Sequence, residues 1–303
     1  MEPSNLGTIA ITGANGQVGR ALLERLRFVR ARTVALTRTP LNLPASEVIV
    51  GPLHSKAAMS AMAQATYVVH LAGTLYPVGK NSLYQANAET ADAVASALTI
   101  SSPRRIFFLS YLGASEESEN EYLRLKARAE RLLAETGREL VVFRCSHIIG
   151  SPEAPGPMAA ALRAKEGKPV RVLGDGSQAV APVYVGDVVS ALIAAIERGS
   201  PGTYDLSGPR QMTMDDLVRL VNDDDPSVRI AHYPAWLARL LSRFSHALPT
   251  PFVDVMLRDS IGDPSRAVSE FGLTLTPLEE VWGKRTGANP GYRETACACE
   301  EAV

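Results

Sequence analysis

An α/β fold, with a doubly wound parallel sheet followed by a smaller mixed α/β region, is what this 303-residue sequence predicts. Three observations carry that expectation. Residues 8–20 form a β-type run that breaks into Gly13, Gly16 and Gly19, and residues 21–26 then take up a helical pattern. Up to residue 150, short apolar runs rich in β-branched residues alternate with longer stretches of helical spacing, the pattern of a parallel sheet covered on both faces. Beyond Gly150 the run Ser151-Pro152-Glu153-Ala154-Pro155-Gly156-Pro157 halts that alternation, and helices mix with short strands.

The first strand, 8–12, turns sharply onto a helix at 18–30. Such a turn is built to hold a phosphate. Gly13 permits the tight bend, Gly16 lets the backbone approach a pyrophosphate, Gly19 lets helix and strand pack, and unpaired helix N–H groups face the anion. Strands follow at 33–37, 47–50, 67–71, 106–110 and 140–145, with a later one at 203–206. Helical spacing occupies 56–65, 83–100 and 120–136; Leu83, Ala86, Ala91, Val94 and Leu98 share one face, as do Tyr122, Leu125, Ala129, Leu132 and Leu133. Six βα steps within residues 1–150 describe a dinucleotide-binding domain, and 151–303 a substrate-binding region interleaved with it. The second region is expected to hold helices at 157–166, 186–198, 213–222 and 234–246, with Thr213 capping the third ahead of Asp215 and Asp216. The stretch from Trp236 to Phe244, amphipathic and basic, reads as a lid over a substrate pocket in preference to a membrane-surface helix. Asp223-Asp224-Asp225-Pro226 reads as a solvated loop.

Composition narrows the function classes. With 46% hydrophobic and 21% charged residues, the chain is an ordinary globular one with a substantial core. A net charge of −1 supplies no basic field for nucleic acid or anionic membrane. No segment approaches about 20 unbroken apolar residues, and the opening Met1-Glu2-Pro3-Ser4 lacks the form of a secretory signal, so a cytoplasmic address is expected. Three cysteines form no disulfide framework: Cys145 sits in an apolar run and reads as a core thiol, and Cys297 and Cys299 belong to a terminal tail. No metal site is expected.

The candidate chemistry lies at Ser110, at the end of the fifth strand, and at Tyr122 and Lys126 on the helix that follows. Residues four apart share a helical face, so the lysine ammonium is expected to favour the phenolate and bring the phenol towards neutral pH. Ser110 would polarise a carbonyl oxygen. At the end of the second strand, Thr37-Arg38 offers a guanidinium where an acid would select the unphosphorylated cofactor. A 2′-phosphate suits Arg38, which favours NADP(H) over NAD(H).

The turn Thr12-Gly13-Ala14-Asn15-Gly16-Gln17-Val18-Gly19, then His70-Leu71-Ala72-Gly73, Asn87, Ser110, Tyr122-x-x-x-Lys126 and Val183-Tyr184-Val185-Gly186-Asp187-Val188, resemble the extended and atypical short-chain dehydrogenases/reductases, the NAD-dependent epimerase/dehydratase superfamily, over almost the whole chain. The runs 108–115 and 204–209 are similar to the branch that holds the NAD(P)H-binding accessory subunit of respiratory complex I and the NmrA-like proteins. The resemblance implies a Rossmann domain in which Gly13, Asn15, Gly16, Gln17, Val18 and Gly19 meet the pyrophosphate, and Leu71, Ala72 and Gly73 the adenosine side. It gives Lys126 to both nicotinamide ribose and tyrosine, Asn87 to a proton relay, and Cys145, Ser146 and His147 to the nicotinamide loop. His70 is read as packing or satisfying a local hydrogen bond. Two positions depart from the pattern: Gly51-Pro52-Leu53 lacks the acid usual near adenine, and Arg144-Cys145 stands where Arg-Pro is common.

Three functions therefore compete. The first is an NADP(H)-dependent oxidoreductase acting on a small carbonyl or alcohol through Tyr122, Lys126 and Ser110. The second is a nucleotide-binding assembly or redox-sensing protein without turnover. The third is a sugar-nucleotide epimerase or dehydratase. A homodimer through helices 83–100 and 120–136 is implied by the resemblance.

Overall fold

Strands β1 (Thr8–Thr12), β2 (Arg32–Thr37), β3 (Glu47–Val50), β4 (Tyr67–His70), β5 (Arg105–Tyr111) and β6 (Glu139–Cys145) are apolar at successive positions, so both faces of their sheet need cover. The computed structural model describes residues 6–76, 82–98, 103–244 and 248–283. In it, helices α1 (Gln17–Leu26), α2 (Lys56–Gln64), α3 (Thr90–Leu98) and α4 (Glu121–Ala134) connect those strands. The second region contributes β7 (Ile148–Ile149), α5 (Gly156–Leu162), β8 (Val170–Leu173), β9 (Ala179–Val180), β10 (Val183–Tyr184), α6 (Val185–Glu197), β11 (Gly202–Leu206), β12 (Met212–Thr213), α7 (Met214–Leu220), β13 (Ile230–Tyr233), α8 (Ala235–Ser242), α9 (Thr250–Met256), α10 (Ser265–Phe271) and α11 (Leu278–Trp282).

The main sheet has seven parallel strands in the order β11-β6-β5-β4-β1-β2-β3. Side chains alternate across it. Ile9, Ile11, Val69, Phe107, Val141 and Phe143 meet Leu22 and Leu23 of α1 and Val188 and Leu192 of α6 on one face. Ala10, Val68, Ile106, Phe108 and Val142 meet Met62, Val94, Ala129 and Leu133 of α2, α3 and α4 on the other. Because α6 and β11 return to this sheet, the second region is threaded into the first. Its own core gathers Ile149, Val172, Leu217, Leu278 and Trp282, and the Trp282 indole donates to the Gly150 carbonyl at 2.8 Å, tying the two regions together. Strand order reverses around β1 and β4, where ligands of open parallel sheets lie beyond the carboxyl ends.

Most expected elements are present within a few residues, and Thr213 caps α7 in a full capping box with Asp216. Not every βα step carries a helix: residues 38–46 link β2 to β3 as a loop containing Pro40 and Pro44, and β6 runs into the short strand β7. The helix expected at 83–100 is two pieces, a π-helical turn at Gln85–Glu89 and then α3; residues 99–100 lie outside the described residues. The expected helix 157–166 stops at Leu162, because Arg163 is extended and Gly167 takes a positive φ in the turn that follows. The tail cysteines Cys297 and Cys299 also lie outside the described residues. Among those described, no helix is long and apolar enough to cross a membrane.

Candidate active site

The glycine turn is forced by contact as well as by conformation. Gly13 has φ +63°, and a Cβ there would stand 2.7 Å from the Ala72 amide nitrogen; one on Gly19 would stand 2.5 Å from the Gly13 carbonyl oxygen. The Gly16 amide donates to that same carbonyl at 2.9 Å, closing the turn. Helix α1 begins at Gln17 with no side-chain cap and no acidic residue in its first turn, so its leading N–H groups and positive dipole end are free for an anion. The Gln17 side chain packs against Gly156 at the start of α5, and its buried Nε2 has no hydrogen-bond partner among the described residues. Gly156 thus roofs the turn, a contact across 139 positions that no local pattern announces. Asn15 is exposed beside the turn, whereas Val18 is buried under it.

Opposite the turn, Thr12 Oγ accepts from the Leu71 and Ala72 amides, each at 3.2 Å, and donates to His70 Nδ1 at 2.7 Å. The His70 hydrogen therefore sits on Nε2. Burial, with Lys126 assisting, drives its pKa down to about 3, and the neutral ring stacks on Phe108 at 5.3 Å. Its role is to shape the loop. Between turn and loop lies a cleft of about 300 Å³ lined by Gly13, Gly16, Thr37, Arg38, Pro52, Leu71, Ala72 and Gly73. Arg38 is exposed at its rim and has no ion-pair partner among the described residues. Thr37 is buried and donates its hydroxyl to the Thr39 carbonyl at 2.9 Å. The Gly51-Pro52-Leu53 wall offers no carboxylate.

Deeper in, two polar groups converge. Asn120 caps α4 and ties its start to α9 through the Pro251 carbonyl, at 2.9 Å. From that anchored start, Tyr122, Lys126 and Glu130 form a stripe of α4 facing the sheet. The Lys126 ammonium donates to the Leu109 carbonyl at 2.8 Å and stands 4.6 Å from the Phe108 ring centroid. Burial lowers its pKa to about 8 against the opposing pull of Glu130. Across from it, Asn87 donates through Nδ2 to the Thr74 and Leu83 carbonyls at 2.9 and 3.0 Å. Its Oδ1 is buried without a partner among the described residues. A Cβ on Gly73, whose φ is +153°, would lie 2.8 Å from that Oδ1 and 3.3 Å from Lys126 Nζ, so only glycine leaves this niche open. The π-helical turn that carries Asn87 is an irregularity often found where function fixes a side chain. An acceptor and a donor without further partners, facing a gap beside a nucleotide turn, fit the hydroxyl groups of a ribose.

Two sequence expectations need correction here. Ser110 does not face Tyr122: its hydroxyl donates to Glu130 Oε1 at 2.5 Å, and Glu130 is held by Arg144 at 2.6 and 3.0 Å. Ser110 lies level with the third residue of the α4 stripe instead of the first. The hydroxyl beside Tyr122 belongs to Tyr111, whose ring meets it edge-on at 5.7 Å. Tyr111 Oη lies 3.2 Å from His147 Nδ1 and 3.4 Å from Ser260 Oγ. Burial raises the Tyr111 phenol to about 12 and lowers His147 to about 4, so both are neutral near pH 7. The second correction concerns Tyr122 itself. Its pKa is raised, first by burial and then by Tyr111 and Cys145; the ammonium, 6.0 Å from its ring centroid, donates to the Leu109 carbonyl and not to the phenol.

The loop after β6 is less open than expected. Cys145 is buried in the core, its thiol raised to about 12 by burial, and Ser146 donates its hydroxyl to the Ala181 carbonyl at 2.6 Å. Of the three loop residues, His147 is the one hydrogen-bonded to a phenol of the cluster, among the described residues. Among the described residues, no group of three or more metal-capable side chains comes together.

A family model described as NAD dependent epimerase/dehydratase matches residues 9–207, from the first strand through the end of β11. The chain belongs to that family. Among curated proteins, it is 28% identical over 229 residues to NADH dehydrogenase [ubiquinone] 1 alpha subcomplex subunit 9, mitochondrial, of Arabidopsis thaliana, covering 70% of this chain and 56% of that one. It is 28% identical over 213 residues to a ceramide reductase of Caulobacter vibrioides, covering 68% and 66%. The chain thus spans little more than half the length of the plant relative. Among solved structures, UDP-glucuronic acid 4-epimerase of Bacillus cereus with UDP-glucuronic acid and NAD superposes with TM-score 0.72 at 17% identity, over 91% of this chain and 96% of that one. UDP-glucose 4-epimerase of Thermotoga maritima superposes with TM-score 0.69 at 19% identity, over the same shares. At such identities the likeness speaks for the fold.

Proposed function

We propose that the chain is a nicotinamide-dependent reductase of the short-chain type, preferring NADP(H), that acts on a carbonyl or alcohol substrate with Tyr122 as the proton donor. The observation that carries this reading is the niche formed by Gly73, Asn87 Oδ1 and Lys126 Nζ one helical turn from the Tyr122 phenol. Bound there, the cofactor would supply or accept hydride. The leading amides of α1 hold its diphosphate, and Lys126 and Asn87 hold its ribose. Tyr122, kept protonated by burial, gives its proton to the oxygen that gains charge as a carbonyl is reduced. Tyr111 and His147 bound the space beside that phenol, and Ser110 supports the site through Glu130. The protein is proposed to work in the cytoplasm, with pairing through α3 and α4.

The preference for the phosphorylated cofactor rests on Arg38. A charge-assisted hydrogen bond contributes about 1.5–3 kcal/mol, or roughly 10–100-fold in affinity. Arg38→Ala is expected to weaken NADPH by that factor and leave NADH unchanged, as read by fluorescence titration. Equal NADPH affinity in parent and variant would remove the basis for the preference.

A pH dependence follows from Lys126. Its folded pKa of about 8 lies below the ordinary lysine value, so the ammonium that holds the ribose is present below pH 8 and is lost as pH rises through it. Cofactor affinity is expected to fall above that pH, with the limb displaced upwards in Lys126→Arg. A flat profile between pH 7 and 10 (approximate limits of the lysine window) would contradict the assignment.

A second reading, nucleotide binding within an assembly without turnover, is favoured by the sequestration of Ser110 and by the similarity to the mitochondrial NADH dehydrogenase subunit. Spectrophotometric consumption of NADPH with a carbonyl panel separates the two readings. Consumption that is lost in Tyr122→Phe supports the reductase, whereas tight binding with no consumption supports the alternative.

A further inference from the structure

Beneath α8 and α9 lies a cavity of about 390 Å³, within the range of small-molecule sites. Its wall is apolar: Met158, Leu162, Leu173, Met214, Phe252 and Met256 face it, and the guanidinium of Arg171, its one charged lining residue, lies 6.0 Å from the Tyr233 ring centroid. Two observations give it a direction. Met158, Leu173, Phe252 and Met256 also belong to the apolar cluster that contains Tyr122, so the cavity and that ring share one layer of apolar side chains. Leu241 of α8 also lines the cavity and is 47% exposed, so the cavity meets solvent beside that helix. Beside that opening Trp236, Leu240 and Phe244 are exposed as well, extending the apolar surface outwards.

A diphosphate-linked sugar needs several charged and polar groups to replace its water. This cavity offers one guanidinium and the Tyr233 phenol against an otherwise apolar lining. A hydrocarbon chain needs nothing more than it provides.

We propose that the cavity holds the aliphatic tail of the substrate, with its carbonyl or hydroxyl at Tyr122 and its chain running out towards α8. The substrate class is accordingly a long-chain, lipid-like carbonyl compound or alcohol. This assignment rests on the reductase reading for the placement of the reacting end. The α8–α9 helices form the wall and mouth of the tail site, so the amphipathic stretch that the sequence marks as a lid gains a specific task.

The test uses the full chain saturated with NADP⁺, or with NAD⁺ if that binds more tightly, titrated calorimetrically with 2-alkanones from butanone to dodecanone. Each added methylene is expected to tighten binding about fourfold until the cavity is filled. Ala161→Trp and Leu241→Asp, both at partly exposed positions on the cavity wall, should weaken the long ketones about tenfold or more and leave butanone and the cofactor unaffected. If neither variant folds, the chain-length series on the parent decides alone. Affinity independent of chain length, a length dependence untouched by both variants, or UDP-glucose binding more tightly than any ketone would overturn the proposal. NADPH consumption read in parallel separates the two ideas. Length-dependent binding without reduction supports the tail site and defeats the reductase, whereas reduction of short ketones with flat affinity does the reverse.

Discussion

Tyr122→Phe is expected to lower kcat for carbonyl reduction by about 10²–10⁴-fold, the usual contribution of a positioned general acid, with NADPH affinity unchanged. The phenol is buried and its pKa is raised, so at neutral pH it carries the proton that the product alkoxide needs. Removing one oxygen from a ring packed edge-on against Tyr111 leaves that packing intact. The informative comparison is Ser110→Ala. Were Ser110 the carbonyl polariser, its loss would cost as much as that of an oxyanion-hole donor, about 10²–10³-fold. Because its hydroxyl is committed to Glu130, the variant is instead expected to keep most of its activity and to lose about 1 kcal/mol of stability, a melting temperature lower by about 2–4 °C. Steady-state kinetics and thermal melts on the two variants read both effects, and a larger kinetic loss in Ser110→Ala than in Tyr122→Phe would reverse the assignment.

Gly13→Ala is expected to abolish cofactor binding. The added methyl meets the Ala72 amide at 2.7 Å and forces a residue with a Cβ to hold φ at +63°. Neither the turn nor the loop after β4 can give way without breaking the Thr12 hydrogen bonds that hold Leu71 and Ala72. The sheet lies behind this turn and is held by two layers of apolar packing, so the variant should retain its far-ultraviolet circular dichroism and show no saturable heat with NADPH. Binding within severalfold of the parent would mean that the phosphates lie elsewhere.

What the sequence makes legible is local. The glycine turn, the β-branched strands and the capping box at Thr213 each depend on neighbours a few positions apart, and each is found close to its expected place. The α4 stripe from Tyr122 to Lys126 is legible for the same reason. The role of Ser110 is not, because the groups that claim its hydroxyl are 20 residues away at Glu130 and, through it, at Arg144 on the next strand. Tyr111 could have been singled out by its position next to Ser110, but nothing in the sequence says which of the two hydroxyls turns towards α4's first turn. The sign of the Tyr122 shift escapes for a related reason. Spacing shows that an ammonium is near, and only packing shows that desolvation outweighs it. Helices α9, α10 and α11, of seven, seven and five residues, are too short to display a period. The niche at Gly73 is assembled from three segments and becomes visible only when they are folded together.

A crystal structure of the chain with bound NADPH tests the central claim most directly. The diphosphate should lie against the leading amides of α1, the 2′-phosphate against Arg38, and a nicotinamide-ribose hydroxyl within hydrogen-bond distance of both Lys126 Nζ and Asn87 Oδ1, with the ring beside Tyr122. A cofactor bound with its ribose away from Lys126 and Asn87, or its diphosphate away from the glycine turn, would contradict it.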